Sequence, residues 1–281
     1  MIGFRSAAVF GLGLIGGSLA RSLTGSGVRV LGYDRDPDVA LQVLDDGGIA
    51  AILNDSLEEV QGVDLVILAV PVTEAPLLLE KLTPLLNETT LITDVGSTKK
   101  TIVAAAEQFG LSDRFVGSHP LSGDHRSGWA ASRNDLFDGS RVYLCPSRRT
   151  PTAVLKLAEK LWMDLGAHTE ITTPEEHDGR MAWISHLPQL TSSALALALR
   201  DAGVSRSELG PGGHDMTRMG GSSPAMWTAI CRDNPQQISA AILSLEAQLR
   251  RLRAQLTGHE ADELPEMLEA ARVWSASDTP R

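Results

Sequence analysis

Apolar periodicity changes character once along the chain. Up to Thr172, short apolar runs alternate with amphipathic stretches, the pattern of βαβ units in a parallel sheet. Strands are expected at Val9–Phe10, Val28–Tyr33, Asp64–Val70, Thr89–Val95, Arg114–Ser118, Arg141–Cys145 and His168–Thr172. Helices are expected at Ser18–Leu23, Pro37–Asp46 and Thr152–Leu165. The run Asp64–Val70 is almost entirely Leu, Val and Ile, so both its faces should be buried, and it stops at Pro71, which cannot continue a central strand. At Thr173-Pro174-Glu175-Glu176 a threonine stands at N-cap, a proline at N1 and a glutamate at N3, a capping box that opens a helix. Beyond it the strand pattern is lost. The expected fold is α/β: a doubly wound sheet over residues 1–173, then an all-α helical domain over residues 174–281.

In the helical half, Pro188 of His186-Leu187-Pro188 removes one backbone hydrogen bond and should kink its helix beside the histidine. Ile238, Ile242, Leu245, Leu249, Leu252 and Leu256 recur at intervals of three and four, one apolar helix stripe. A small helical layer does not obviously need all of it. Packing within the monomer and burial against a second copy both account for the stripe, and the second makes the protein a homodimer. Only Ser275–Arg281 reads as a frayed end.

The turn after the first strand sharpens the picture. Gly11, Gly13 and Gly16 have the spacing GxGxxG between a strand and a helix. Gly11 permits the tight turn, Gly13 lets the backbone approach a pyrophosphate, and Gly16 allows close helix–strand packing, while Leu14 and Ile15 lie beside them at the start of the helix. The second strand ends at Asp34, roughly 20 residues on, as a dinucleotide-binding Rossmann unit requires. A carboxylate there accepts from both ribose hydroxyls and repels a 2′-phosphate, favouring NAD over NADP, although Arg35 beside it offers a phosphate partner. Ala69, Val70 and Pro71 end a neighbouring strand and should line the same crevice.

Composition narrows the partners. The chain has 281 residues, 43% of them hydrophobic, enough for a large core, and its net charge of -10 is the wrong sign for a nucleic-acid or anionic-membrane surface. Strand signals begin within the first ten residues, leaving no room for a signal peptide, and no apolar run is long enough to span a bilayer. A cytoplasmic protein is expected. Cys145 and Cys231 lie far apart without ligand spacing, so they read as thiols, not a disulfide, and no metal site is expected.

Candidate chemistry gathers where the strands end. One delivers Asp94-Val95-Gly96-Ser97-Thr98-Lys99 and the next delivers His119-Pro120 to the same edge. Alone, Ser97 is an ordinary helix cap and His119 a packed strand-end histidine. His186 can cap broken backbone, and Asp215 and Arg218 can form a surface ion pair. The two strand-end clusters nevertheless arrive at one crevice from successive strands, and the kink beside His186 suggests a site wall.

These motifs resemble the prephenate and arogenate dehydrogenases of tyrosine biosynthesis, over nearly the whole chain. The likeness rests on the Asp94–Lys99 cluster, on Gly117-Ser118-His119-Pro120-Leu121-Ser122-Gly123 with Ser127-Gly128, on Ser185-His186-Leu187-Pro188, and on Asp215-Met216-Thr217-Arg218 with Pro224, Met226 and Trp227. The resemblance implies oxidative decarboxylation of prephenate to 4-hydroxyphenylpyruvate with hydride transfer to NAD. It makes His119 the base with Ser97 beside it, and places Arg218, His186, Trp227 and His125 around the substrate. The family usually has threonine and glutamate where this chain has Asp124-His125, which bears on substrate preference: His125 offers no negative charge to the ammonium of arogenate, so prephenate is expected. Arogenate is the alternative substrate, and an NAD-binding sensor without turnover is the alternative class. A β-hydroxyacid dehydrogenase or imine reductase would be expected to use a lysine in the helical half, and from Thr169 onward there is none.

Overall fold

The computed structural model describes residues 2–123, 126–257 and 263–277. Chain contacts divide it into two compact units, Met1–Pro235 and Gln236–Arg281. The first holds an eight-stranded sheet in the order β3-β2-β1-β4-β5-β6-β7-β8. Its strands are β1 (Ser6–Phe10), β2 (Arg29–Tyr33), β3 (Ala51–Ile52), β4 (Leu65–Leu68), β5 (Leu91–Asp94), β6 (Phe115–Pro120), β7 (Arg141–Pro146) and β8 (His168–Ile171). All neighbours are parallel except β6 and β7. The order reverses beside β1, so the crevice at its C-terminal end is the place where such sheets bind ligands.

Strand alternation divides the core between the two faces of the sheet. Ala7, Val9, Leu65 and Ile67 pack with Leu19, Leu23, Val43, Trp129 and Trp162 on one face. Ala8, Phe10, Val66 and Leu68 pack with Leu79, Leu82, Ile102 and Phe115 on the other. The helices covering them are α1 (Leu14–Gly25), α2 (Pro37–Asp45), α3 (Ala75–Leu82), α4 (Lys100–Gln108) and α5 (Thr152–Asp164). Four strands are buried on both faces, which is why their sequence reads as continuous apolar runs.

Several sequence expectations are corrected. β4 stops at Leu68, not Val70, because the chain leaves the sheet where the Ala69 carbonyl meets Gly11. His119 and Pro120 lie within β6, not after it, because the antiparallel partner β7 extends the strand, pairing His119 with Tyr143 and Pro120 with Val142. The short strand β3 adds an edge that periodicity does not reveal.

The expected capping box is present. Thr173 accepts from the Glu176 amide at 3.2 Å, and the Glu176 carboxylate accepts from the Thr173 amide at 3.2 Å. It starts α6 (Pro174–Met181), followed by a π-helical turn at Ala182–His186 and then α7 (Leu187–Asp201). Pro188 lacks the amide that would close a regular turn, and the wider π turn sits just before it. The short helix α8 (Pro211–Thr217) and then α9 (Pro224–Asp233) complete this unit apart from the beginning of α10 (Pro235–Leu256).

The second unit contains the rest of α10 and α11 (Leu264–Ala276). Ser275 and Ala276 are helical, so fraying does not begin where expected; 278–281 lie outside the described residues. Along the α10 stripe Ile238 is buried, while Leu249 is 56% and Leu256 74% exposed. On α11, Leu268, Val273 and Trp274 are exposed as well. Among the described residues no helix is long and apolar enough to cross a membrane.

Candidate active site

The glycine turn is built as its spacing requires. Gly11 has φ +89°, and a Cβ there would strike the Ala69 carbonyl. A Cβ on Gly16 would strike the Gly11 carbonyl oxygen and come within 2.8 Å of the Ala69 methyl. A Cβ on Gly13 would meet nothing within 4 Å, so this position has open space above it. Gly13 is also the N-cap of α1 and offers no side-chain cap, leaving the first amides of the helix to an external acceptor. The half-buried Leu14 and Ile15 follow it. Asp34 accepts from the Leu12 amide at 2.8 Å and from the Asp36 amide at 3.0 Å, so it ties the turn to β2. Its neighbour Arg35 is exposed. Ala69 and Val70 flank Gly11, and Pro71 is exposed beyond them. This cradle fits a dinucleotide: backbone can approach a pyrophosphate at Gly13, and each Asp34 oxygen keeps a lone pair for a ribose hydroxyl.

One long connection braces the back of α1. A Cβ on Gly17 would lie 2.8 Å from the Trp129 ring, whose Nε1 donates to Asp46 at 2.6 Å. The Arg21 guanidinium lies 3.5 Å from that ring's centroid, and the Arg133 amide donates to Ser18 Oγ at 3.0 Å. The segment Trp129–Arg133 therefore docks on α1.

At the other side of the crevice, β5 and β6 separate. Their register ends at Thr93 opposite Val116, so residues 117–120 run past the partner strand. Side chains fill the gap. Asp94 accepts from the Ser118 amide at 3.1 Å, and Lys99 Nζ donates to the Ser118 carbonyl at 2.8 Å and to the Asp94 carboxylate. This buried ion pair fastens the strand that carries His119.

His119 is buried, and its Nδ1 lies 2.9 Å from Nε2 of His177 on α6. His177 Nδ1 lies 2.7 Å from Asp178 Oδ1. Asp178 also accepts from the Lys99 amide at 2.7 Å and the Lys100 amide at 3.0 Å, and so caps α4, which has no side-chain cap of its own. Burial pulls His119 well below the ordinary imidazole value, with His177, Lys99 and His186 adding to the effect. His177 is also lowered, because burial outweighs its bond to Asp178. Burial opposes ionisation of Asp178, yet the bonds from His177 and the two amides hold its carboxyl below its usual range. Both imidazoles are thus neutral at physiological pH, and the carboxylate is ionised.

His186 is fully buried at the end of the π turn, and burial pushes it down to about 4. Among the described residues neither of its ring nitrogens has a hydrogen-bond partner, so it does not cap broken backbone. Its ring meets Trp227 edge-on at 5.9 Å, and the indole Nε1 is likewise buried and unpartnered. Among the described residues Ser122 Oγ is a further buried polar atom without a partner.

Ser97 is half-buried between β5 and α4 and does not cap that helix, whose N-cap is Lys99. Arg218 is exposed and, among the described residues, forms no ion pair with Asp215. Its turn is pinned to α7: Gln189 Nε2 donates to the Met219 carbonyl at 2.6 Å, and the Gly220 amide donates to Ser192 Oγ at 3.0 Å. The structure therefore brings His119 close to His177 and His186, and His186 to Trp227; Ser97 and Arg218 make no direct bond to any of them. His125 lies outside the described residues. Among the described residues no group of three or more His, Cys, Asp or Glu side chains could hold a metal, and Cys145 is buried while Cys231 is half-buried, both free.

Sequence reasoning did not single out His177 and Asp178. The available signal was the capping box, which fixes where α6 begins and hence that both residues lie in its second turn, against the sheet.

Comparison with known proteins identifies the family. Residues 19–171 match the family described as prephenate dehydrogenase, nucleotide-binding domain, and residues 173–270 match prephenate dehydrogenase, dimerization domain. The first match begins inside α1, so the glycine turn stands on its own geometry. A prephenate dehydrogenase of Bacillus subtilis is 33% identical over 94% of this chain and 73% of its own. The crystal structure of A. aeolicus prephenate dehydrogenase in complex with hydroxyphenyl propionate and NAD+ superposes with a TM-score of 0.89 at 32% identity, covering 96% of this chain and 97% of that one. Synechocystis arogenate dehydrogenase gives a TM-score of 0.82 at 27% identity, covering 98% of this chain and 100% of the other. With both its sheet domain and its helical domain matched, the chain belongs to the prephenate dehydrogenase family.

Proposed function

We propose that the protein oxidises prephenate, with NAD+ as hydride acceptor, to 4-hydroxyphenylpyruvate and carbon dioxide. The observation that carries this reading is His119, a buried, neutral imidazole at the end of β6, on the same edge of the sheet as the glycine turn and three strands along from it. Bound NAD+ supplies the acceptor for the hydride that leaves the ring carbinol carbon. His119 takes the hydroxyl proton as the carbonyl forms, which relieves the positive charge developing at that carbon. Loss of the ring carboxylate as carbon dioxide sends its electron pair into the ring, and the resulting phenolate recovers the proton from His119. Atoms and charge balance without any other reactant.

The substrate roles follow from unsatisfied groups. Among the described residues the ring nitrogens of His186 and Trp227 are buried without partners, and they suit a polar ligand. Arg218, free of any ion pair among the described residues, suits a substrate carboxylate in bidentate fashion. Ser97 shares the substrate hydroxyl or orients His119. His125 is assigned to the side-chain end of the substrate on sequence grounds alone.

NAD is preferred over NADP in this reading because a carboxylate at Asp34 accepts from both ribose hydroxyls and repels a 2′-phosphate, while the neighbouring Arg35 is exposed. Residues 1–173 bind the nucleotide and residues 174–281 contribute the substrate wall and the subunit interface. The matched dimerization domain and the exposed leucines of α10 support a homodimer.

The test is kcat/KM of the purified protein for prephenate and for arogenate, each with NAD+ and NADP+. Prephenate with NAD+ should lead. A lead for arogenate would move the assignment to the direct route to tyrosine, and nucleotide binding without turnover of either would make the protein a sensor.

A further inference from the structure

The reading of His119 as the base leaves open which of its nitrogens does the work, and the buried chain behind it answers that question. Asp178 is the fixed end. Its Oδ1 accepts from the Lys99 amide and its Oδ2 from the Lys100 amide, donors that cannot reverse direction, so both oxygens act as acceptors. His177 Nδ1, 2.7 Å from Oδ1, must therefore donate. A neutral imidazole has one N–H, so His177 Nε2 must accept. His119 Nδ1, 2.9 Å from that nitrogen, must donate in turn, which leaves the lone pair of His119 on Nε2.

We propose that His177 and Asp178 are positioning residues that hold His119 as its Nδ1–H tautomer, with Nε2 presented to the substrate hydroxyl. This rests on the assignment of His119 as base and adds the atom and its supports. A protonated His177 would reverse the direction of the chain, and its surroundings oppose that. The groups facing the two rings are Lys99 and Asp94 from the β5–α4 connection, Tyr143 from β7, and His186 beyond α6. Burial and Lys99 disfavour a second cation there, and Tyr143 packs edge-on against His177 at 5.5 Å, restraining its ring. The bland account of the same contacts is that Asp178 only caps α4 and His177 only fills space.

Two measurements separate these accounts. Long-range proton–nitrogen NMR on the native protein labelled at histidine, with and without NAD+, reads the tautomer directly. The proposal expects His119 protonated at Nδ1 and bare at Nε2; the opposite tautomer overturns it, whether or not the variants below fold. In kinetics, His177→Leu removes the acceptor and should lower kcat roughly 10²- to 10⁴-fold with little change in KM, as for other enzymes whose catalytic histidine is left in the wrong tautomer. His177→Gln, whose amide oxygen can accept the same proton, should recover at least about tenfold of that loss. Equal activity in the two variants, or a loss confined to KM, contradicts the proposal. Failure of the base assignment looks different: His119→Asn would keep turnover while the NMR tautomer still stood as expected.

Discussion

Under the proposed function His119, Asp34 and Gly13 each make a separable prediction. His119→Asn keeps a hydrogen-bonding shape without a usable base, so kcat should fall by roughly 10² to 10⁴ with modest change in KM. Steady-state kinetics with prephenate checks this, and near-normal kcat removes His119 from the mechanism. In the proposed function Asp34 has two duties, meeting a ribose and also holding the Leu12 amide. Asp34→Ser should therefore narrow the preference for NAD over NADP and also weaken NAD itself, measured as Kd for each nucleotide by calorimetry. A variant that gains NADP without losing NAD would show that the Leu12 bond contributes nothing to binding. The glycine turn and the strand-end His119 were legible from residue type and spacing. His177 was not, since it meets His119 across 58 residues and a His-Asp pair within a helix carries no local signature.

At the scale of elements, α1 and its turn divide folding from binding. A Cβ at Gly16 has backbone in its way, whereas one at Gly13 has none. Gly16→Ala should cost about 1–3 kcal/mol of stability by overpacking, and Gly13→Ala should fold normally while weakening NAD+ at least about tenfold, since its methyl occupies the path of the pyrophosphate. Thermal melts with and without NAD+ distinguish the two; equal apo stability for both variants would contradict this division. Seven of the eight strands up to Thr172 were legible because strands buried on both faces leave dense apolar runs, whereas the short edge strand β3 and the helices α3 and α4 were not singled out. The direction of β7 was not, because periodicity is the same in either direction. The clue available was indirect: residues between Pro120 and Arg141 show no helical pattern, and a parallel return needs a crossover that is usually a helix. The close packing of Trp129 against Gly17 and Gly48 was also hidden, as it joins segments far apart in the chain.

For the whole molecule, three buried histidines make stability depend on pH. His119, His177 and His186 all have folded values below the ordinary imidazole value, so the unfolded chain binds more protons than the folded one in mild acid. Their contribution is intact above about pH 6.5 and is lost as pH falls through that unfolded value, continuing down to about 4 for His186. Chemical denaturation at pH 7.5 and at pH 5 should show lower stability at pH 5, and His186→Leu should reduce the difference; a pH-independent midpoint would contradict it. Leu249, exposed on α10, tests the homodimer: Leu249→Lys should give monomers or aggregates by light scattering, and a native protein that is already monomeric at micromolar concentration would remove the interface. In the proposed function His119 drives NAD-linked oxidation of prephenate coupled to decarboxylation. The measurement that tests it most directly follows NADH, carbon dioxide and 4-hydroxyphenylpyruvate together after mixing the native protein, and separately His119→Asn, with prephenate and NAD+. The account predicts equal amounts of all three from the native protein and a rate at least roughly 10²-fold lower from the variant. Carbon dioxide without NADH, or equal rates from the two proteins, would contradict it.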